Sequence, residues 1–209
     1  MTFALIEVEA TAKKAARGAG YSWGLAEEAA KAARWLCVQG MDGCAVLARL
    51  LEQGFGTDLA AHVPASLQSP WQGDKSLCAL ASGASLSDCA ARLDGDGIRL
   101  KNVTEPALLL PFAATAARRN GGTVTVTCDG VTAVTDGRGV SLDGEMPRTA
   151  AEVSVSFGGT MGEARVLHSR ATPAPDAWDS LNKFAHATYA PDTEESRLLG
   201  AGAGLTDND

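Results

Sequence analysis

Three residues combine a reactive type with a position that could do chemistry. Cys44 falls in the first turn of an expected helix, where free backbone N–H groups and the helix dipole favour a thiolate; a small buried apolar residue is the plainer reading of the same position. His168 lies at an expected strand end between Arg165 and Arg170, so an imidazole able to move a proton near neutral pH would sit beside two guanidinium groups that suit an anionic ligand. An ordinary surface histidine fits there too. Asp42 precedes the helix that carries Cys44, and a site between helices and sheet near Asp42, Cys44 or His168 is the catalytic candidate. For cofactor binding the candidate is Gly158-Gly159-Thr160, whose backbone N–H groups after a strand could cradle an anion. It lacks the Lys-Ser/Thr of a phosphate loop, and no clear helix follows it. His186 shares an expected helix face with Asn182 near Lys183, which makes an acid–base pair conceivable against the default of a surface histidine.

Other constellations are missing from the sequence. The three histidines (with His62) form no H-x-x-x-H pair, and no His/Cys/acid cluster has metal-ligand spacing, so no metal is expected. The five cysteines, at 37, 44, 78, 89 and 128, are odd in number and contain no C-x-x-C. Neither a disulfide framework nor a zinc knuckle is expected, and reduced thiols in a cytoplasm fit best. Ser82-Gly83-Ala84-Ser85 is not a nucleophile elbow.

The elements that must hold these residues follow from periodicity. Leu5, Val8, Ala12, Ala15 and Ala19 recur at three and four, which predicts a helix over 3–18 that Gly18 and Gly20 end. A second helix is predicted from Trp23 to Gln39, capped by Ser22, with a Glu27–Lys31 pair on its outer face. Asp42 caps a third, Gly43 to Gln53, with Leu47, Leu50 and Leu51 inward. Residues 55–96 read less clearly: a short helix near Ser85–Leu93, then a turn at Asp94-Gly95-Asp96-Gly97. Ile98–Val103 reads as a strand, and Pro111–Arg119 as a helix with Pro in its first turn. Two β-rich runs around Cys128-Asp129-Gly130 predict a hairpin. Val140–Leu142, Ala151–Phe157 and Arg165–Ser169 add strands to an antiparallel meander with one apolar face. Its other face shows Thr123, Thr125, Thr127, Ser154 and Ser156: solvated, covered by a partner, or lining a polar pocket. A last helix is predicted over Asp176–Ala187.

The chain has 209 residues, 45% apolar and 21% charged, with net charge −7. It is too apolar for intrinsic disorder and too acidic for a general nucleic-acid binder. The charge is uneven: residues 171–209 hold seven acids against two bases, and the body is nearly neutral. With 38 Ala and 23 Gly against 11 aromatic residues, helices must approach closely on small side chains. The longest apolar run, Ala107–Ala117, is about half of what a membrane helix needs. No basic segment opens the N-terminus, so neither a secretory leader nor a membrane is expected.

The run from Ala12 to Ala29, A-K-K-A-A-R-G-A-G…W-G-L-A-E-E-A, resembles a family of uncharacterised bacterial proteins, a domain of unknown function. Thr188-Tyr-Ala-Pro191 and Gly200-Ala-Gly-Ala-Gly204 extend that resemblance, which implies no established activity. The turn Gln39-Gly40-Met41-Asp42-Gly43-Cys44, more faintly, is similar to the malate/lactate/sulfolactate dehydrogenase family, which binds a nicotinamide cofactor on a non-Rossmann fold. Gly40 and Asp42 match its R-G-x-D-S-H-G, but Gly43 replaces the Ser, and Cys44 stands where the catalytic His would be. Thiol and imidazole do not exchange as acid–base groups at neutral pH, so this resemblance implies at most an inactive relative or a partner subunit.

The expected fold is α+β: an N-terminal helical unit (1–96) packed with a mostly antiparallel sheet and helices (97–190), one compact domain overall, followed by an acidic, Gly/Ala-rich tail (191–209). The expected function is that of a non-catalytic accessory or interaction protein, as a homo-oligomer or with a partner protein. The alternative is a small-molecule-binding protein, or an enzyme distantly related to nicotinamide-dependent 2-hydroxyacid dehydrogenases. The sequence names no cofactor and leaves open whether the chain catalyses anything.

Overall fold

The structure, a computed structural model, describes residues 1–93 and 97–189. The expected turn at 94–97, apart from Gly97, and the acidic tail with its glycines at 200–204 lie outside the described residues. The fold is α+β. After a two-residue strand β1 (Phe3–Ala4), three helices follow in close succession: α1 (Leu5–Gly18), α2 (Trp23–Val38) and α3 (Gly43–Glu52). Their starts have different causes. Ser22 Oγ accepts from the Leu25 N–H at 3.4 Å and Asp42 Oδ1 from the Ala45 N–H at 2.9 Å. At α1 the Glu7 carboxylate reaches back to the Ala4 N–H. Each cap satisfies an amide that has no partner in the helix. The Glu27–Lys31 pair does not form. Glu27 takes Lys13 of α1 instead and Lys31 takes Glu28, because the α1–α2 contact brings a second helix's lysine within reach.

The next segment corrects the reading of Ser85–Leu93. A short strand β2 (Leu77–Cys78) runs directly into α4 (Ala79–Asp88), and only Ala90–Leu93 continues as a 3₁₀ turn. Ser85 lies inside α4, its hydroxyl bonded back to the Ala81 carbonyl rather than capping. Then come β3 (Ile98–Thr104), α5 (Leu110–Asn120), β4 (Val124–Cys128), β5 (Val131–Thr135), β6 (Val140–Leu142) and β7 (Thr149–Phe157). Six strands form one sheet in the order β2-β3-β7-β4-β5-β6, with β2–β3 parallel and the other pairs antiparallel. It is not a meander: β7 returns to lie between β3 and β4. Residues 165–169 add no strand. Arg170–Ala171 (β8) instead pairs with β1 in a separate two-stranded ribbon, before the last helix α6 (Pro175–His186).

Val124, Val126, Val153, Val155, Ile98 and Leu100 turn to one side of the sheet and are buried, as alternation requires. α5 packs on the β4–β5 part of the sheet, and the buried side chains of helices and sheet join in one apolar cluster. The hydroxyl-bearing face is partly covered by the chain itself: Thr125 and Thr123 donate to the carbonyls of Gly158 and Gly159 at 2.7 and 2.8 Å.

The small residues let α2 and α3 meet backbone to backbone. A side chain at Gly43 would land on the Ala33 carbonyl oxygen and crowd Leu36. Gly43→Ala is therefore expected to cost about 1–3 kcal/mol by overpacking. Gly24→Ala, at a helical position with open space around it, should be neutral or slightly stabilising. Urea unfolding of the two variants compares them directly.

Candidate functional site

The site is assembled at the turn between α2 and α3. Three backbone bonds close the end of α2: Gln39 N–H to Trp35, Gly40 N–H to Cys37 and Met41 N–H to Leu36, each at 3.0 Å. Gly40 has φ +71°, the left-handed conformation that lets a helix stop in this way. The turn leaves carbonyls of α2 without helical partners, and residues 165–168 cross them as a strap. Arg165 donates from Nε to the Gln39 carbonyl at 2.7 Å and from Nη2 to that of Gly40 at 3.2 Å. The His168 N–H donates to the Val38 carbonyl at 2.8 Å. A cation at a helix C-terminus also complements the dipole. The His168 ring lies so close over Gly40 that a Cβ there would sit 2.8 Å from Nε2.

Asp42 joins this turn to the other end of the chain. While Oδ1 caps α3, Oδ2 accepts the Ala174 N–H at 2.8 Å, at the residue that opens α6. One carboxylate thus satisfies two amides, one three residues and the other 132 residues further along the chain, and charge-assisted bonds of this kind are the stronger ones.

Two adjoining hollows share Met41 and Asp42 as lining. The smaller, about 220 Å³, is bounded by Cys37, Gly40, His168 and Arg170 with Thr172 and Pro173. The larger, about 380 Å³, is bounded by Val46, Arg49, Glu105, Leu142, Met146 and Arg165 among others. Glu105 is 3% exposed and takes φ +54°. Its two carboxylate oxygens accept from Arg49 Nε and Nη2 at 2.6 and 2.8 Å. A buried carboxylate in this conformation persists only because the surroundings over-determine it.

The expected site residues fall as follows. Asp42 and His168 line one cavity. Cys44 does not: it is fully buried behind the turn. There the neighbouring Cys37 thiol and burial push its own thiol far above the usual range. Gly158, Gly159 and Thr160 lie elsewhere, across the outer face of the sheet. The Gly158 N–H donates to the Thr123 carbonyl at 2.7 Å, and Thr160 shares a shallow hollow with Asp143 and Glu163, two acids that oppose an anion. His186 packs edge-on against Tyr189. His62 stacks on Phe55, its Nδ1 2.7 Å from the Ser76 carbonyl. Among the described residues, no group of three or more His, Cys, Asp or Glu could hold a metal ion.

Cys37, Arg49 and Glu105 were not singled out in the sequence. Cys37 carries a faint signal, seven residues before Cys44 across a two-glycine turn. The Arg49–Glu105 pair carries none, since its members are 56 residues apart.

Asp42→Ala removes both bonds and should cost about 1–3 kcal/mol in urea unfolding. Asp42→Asn keeps one acceptor and should lose less than the alanine variant.

No curated protein and no solved structure matches the chain. A family model does, over residues 3–104, from β1 through the α2–α3 turn to the end of β3. In that N-terminal half, which contains Asp42, Cys44 and Arg49 and stops one residue short of Glu105, the chain is similar to a family described as protein of unknown function, DUF3726.

Proposed function

We propose that the protein is a non-catalytic accessory protein that works by binding another protein chain, with the strap at 165–168 as part of its contact surface. One observation carries this reading. Within the strap, Arg165 and His168 use polar groups to close the end of α2, while Val166 and Leu167 between them are 75% and 58% exposed. Two adjacent apolar side chains held out by anchored neighbours, beside a cleft, mark an interaction surface. The reading is further supported by how the chemically capable groups are used: both Asp42 oxygens accept backbone N–H groups and Cys44 is enclosed. The protein would work in the cytoplasm, where its five buried free thiols stay reduced, as a homo-oligomer or with a different chain.

Light scattering and affinity capture test this. The wild-type protein is expected to form a defined oligomer, or to retain a stoichiometric partner. Val166→Glu/Leu167→Glu should abolish that association without lowering stability, since neither side chain is buried. A wild-type monomer that retains no partner, or association indifferent to the double substitution, overturns the reading.

A second reading is favoured by the larger hollow. Its volume of about 380 Å³ lies within the range of small-ligand sites, and it combines guanidinium groups with an apolar wall. In this reading the protein binds a small molecule, the dehydrogenase-like version being one case. A thermal-shift screen over 2-hydroxy acids, 2-oxo acids and nicotinamide cofactors tests that case: a ligand bound only by the native state must raise the melting temperature, and no shift with any of them rejects it.

A further inference from the structure

We propose that the larger hollow binds a small monocarboxylic acid with an apolar body, its carboxylate held by Arg49 and Arg165 and its body laid against Val46, Leu142 and Met146. This rests on the small-molecule reading of that hollow and names the class of ligand.

The two arginines come from distant parts of the chain and are fixed in the same way. Arg49, on α3, donates from Nε and Nη2 to the Glu105 carboxylate at 2.6 and 2.8 Å. Arg165, on the strap, donates from the same two nitrogens to the carbonyls of Gln39 and Gly40 at 2.7 and 3.2 Å. Each therefore keeps one nitrogen in reserve. Among the described residues neither Nη1 has a hydrogen-bond partner, and neither is shut off from solvent. Both residues line the one hollow. Guanidinium groups immobilised along one edge present donors that lose little further freedom when an anion arrives.

The anchor of Arg49 is an expensive one. Glu105 is 3% exposed at φ +54°, a backbone conformation that is unfavourable for a residue with a side chain. An ion pair with one member enclosed is a poor source of stability, because desolvation of the carboxylate offsets most of the attraction. What the pair does secure is the place and direction of the guanidinium at the wall of the hollow.

The other charges decide which anion fits. Asp42 and Glu105 also line the hollow, but the Asp42 oxygens accept from the Ala45 and Ala174 amides and those of Glu105 from Arg49. Glu145, the third acid of the lining, is exposed and its charge is screened by solvent. A single carboxylate gains charge-assisted hydrogen bonds from the two Nη1 groups at contact distance, where donor direction outweighs the small excess of negative charge around it. A phosphate or a dicarboxylate brings two charges against that excess. The rest of the wall is apolar: Val46 and Ala107 are buried and Leu142 and Met146 half-buried, so each methylene of a ligand laid there leaves water for an apolar surface.

The four methionines report on this in the wild-type protein. Met41 and Met146 line the hollow, and Met1 and Met161 do not. The full-length protein, with its methionine methyl groups labelled with carbon-13, is titrated separately with hexanoate, hexanamide, hexylamine and hexanedioate and followed by NMR. Hexanoate is expected to move the Met41 and Met146 signals saturably and to leave those of Met1 and Met161 in place. Hexanamide, hexylamine and hexanedioate should each bind at least about tenfold more weakly, as loss of a charge-assisted hydrogen bond implies. Arg165→Gln should weaken hexanoate by about the same factor; if that variant does not fold, the comparison of the four compounds on the wild type decides alone. Hexanamide, hexylamine or hexanedioate moving the two signals as readily as hexanoate overturns the monocarboxylate proposal and leaves the small-molecule reading standing. If no compound moves either signal, or only those of Met1 and Met161 respond, the proposal and the small-molecule reading of this hollow fall together.

Discussion

The Asp42 carboxylate is the constraint on which the rest of the site depends. It is a helix cap, and a cap alone needs only one of its oxygens. Here the second oxygen holds the amide that opens α6, so the position of the last described helix is tied to the first turn of α3. The strap that precedes α6 must then run across the end of α2, where it meets the carbonyls the Gly40 turn leaves open. The cleft is a consequence: it is the space enclosed when one loop must serve two helix ends at once. The side chains that look most reactive on paper are those this arrangement uses most heavily.

Much of the scaffold could be read from residue spacing, because it is locally determined. Ser22 and Asp42 cap the helices they precede, Pro111 lies in the first turn of α5, and Asp129-Gly130 joins β4 to β5. Each depends on neighbours a few residues away. What could not be read depends on partners far along the chain. Glu27 takes a lysine from another helix, β7 inserts between β3 and β4, and the stretch after Arg165 is drawn from the sheet by carbonyls of α2. The site divides in the same way. Asp42 announces itself through capping, whereas Cys37 becomes notable only once two helix ends are packed together, and Arg49 and Glu105 only once the chain has closed on itself.

The scarcity of large side chains has the same root. Core helices built on Ala cannot rely on long side chains to bridge gaps, so contacts shorten until backbone meets backbone, as at Gly43. Dispersion then comes from close approach rather than from bulk. The few large groups, such as Trp71 and Tyr21, both almost fully buried, fill the spaces that small residues leave.

The two-stranded ribbon of β1 and β8 carries a consequence for how the chain reaches this state. Phe3 pairs with Ala171, Gln39 donates to the Arg138 carbonyl, and β3 finds its neighbour in β7. Elements from both halves are interlaced by contacts of long sequence separation, and each such closure sacrifices loop entropy before it yields any contact energy. The stretch covered by the family model therefore ends on a strand whose antiparallel neighbour belongs to the later half. An isolated first half would carry an open β3 edge and a helical face without its covering. Each half therefore supplies an edge or a face that the other covers, unlike a finished helical module set beside a finished sheet.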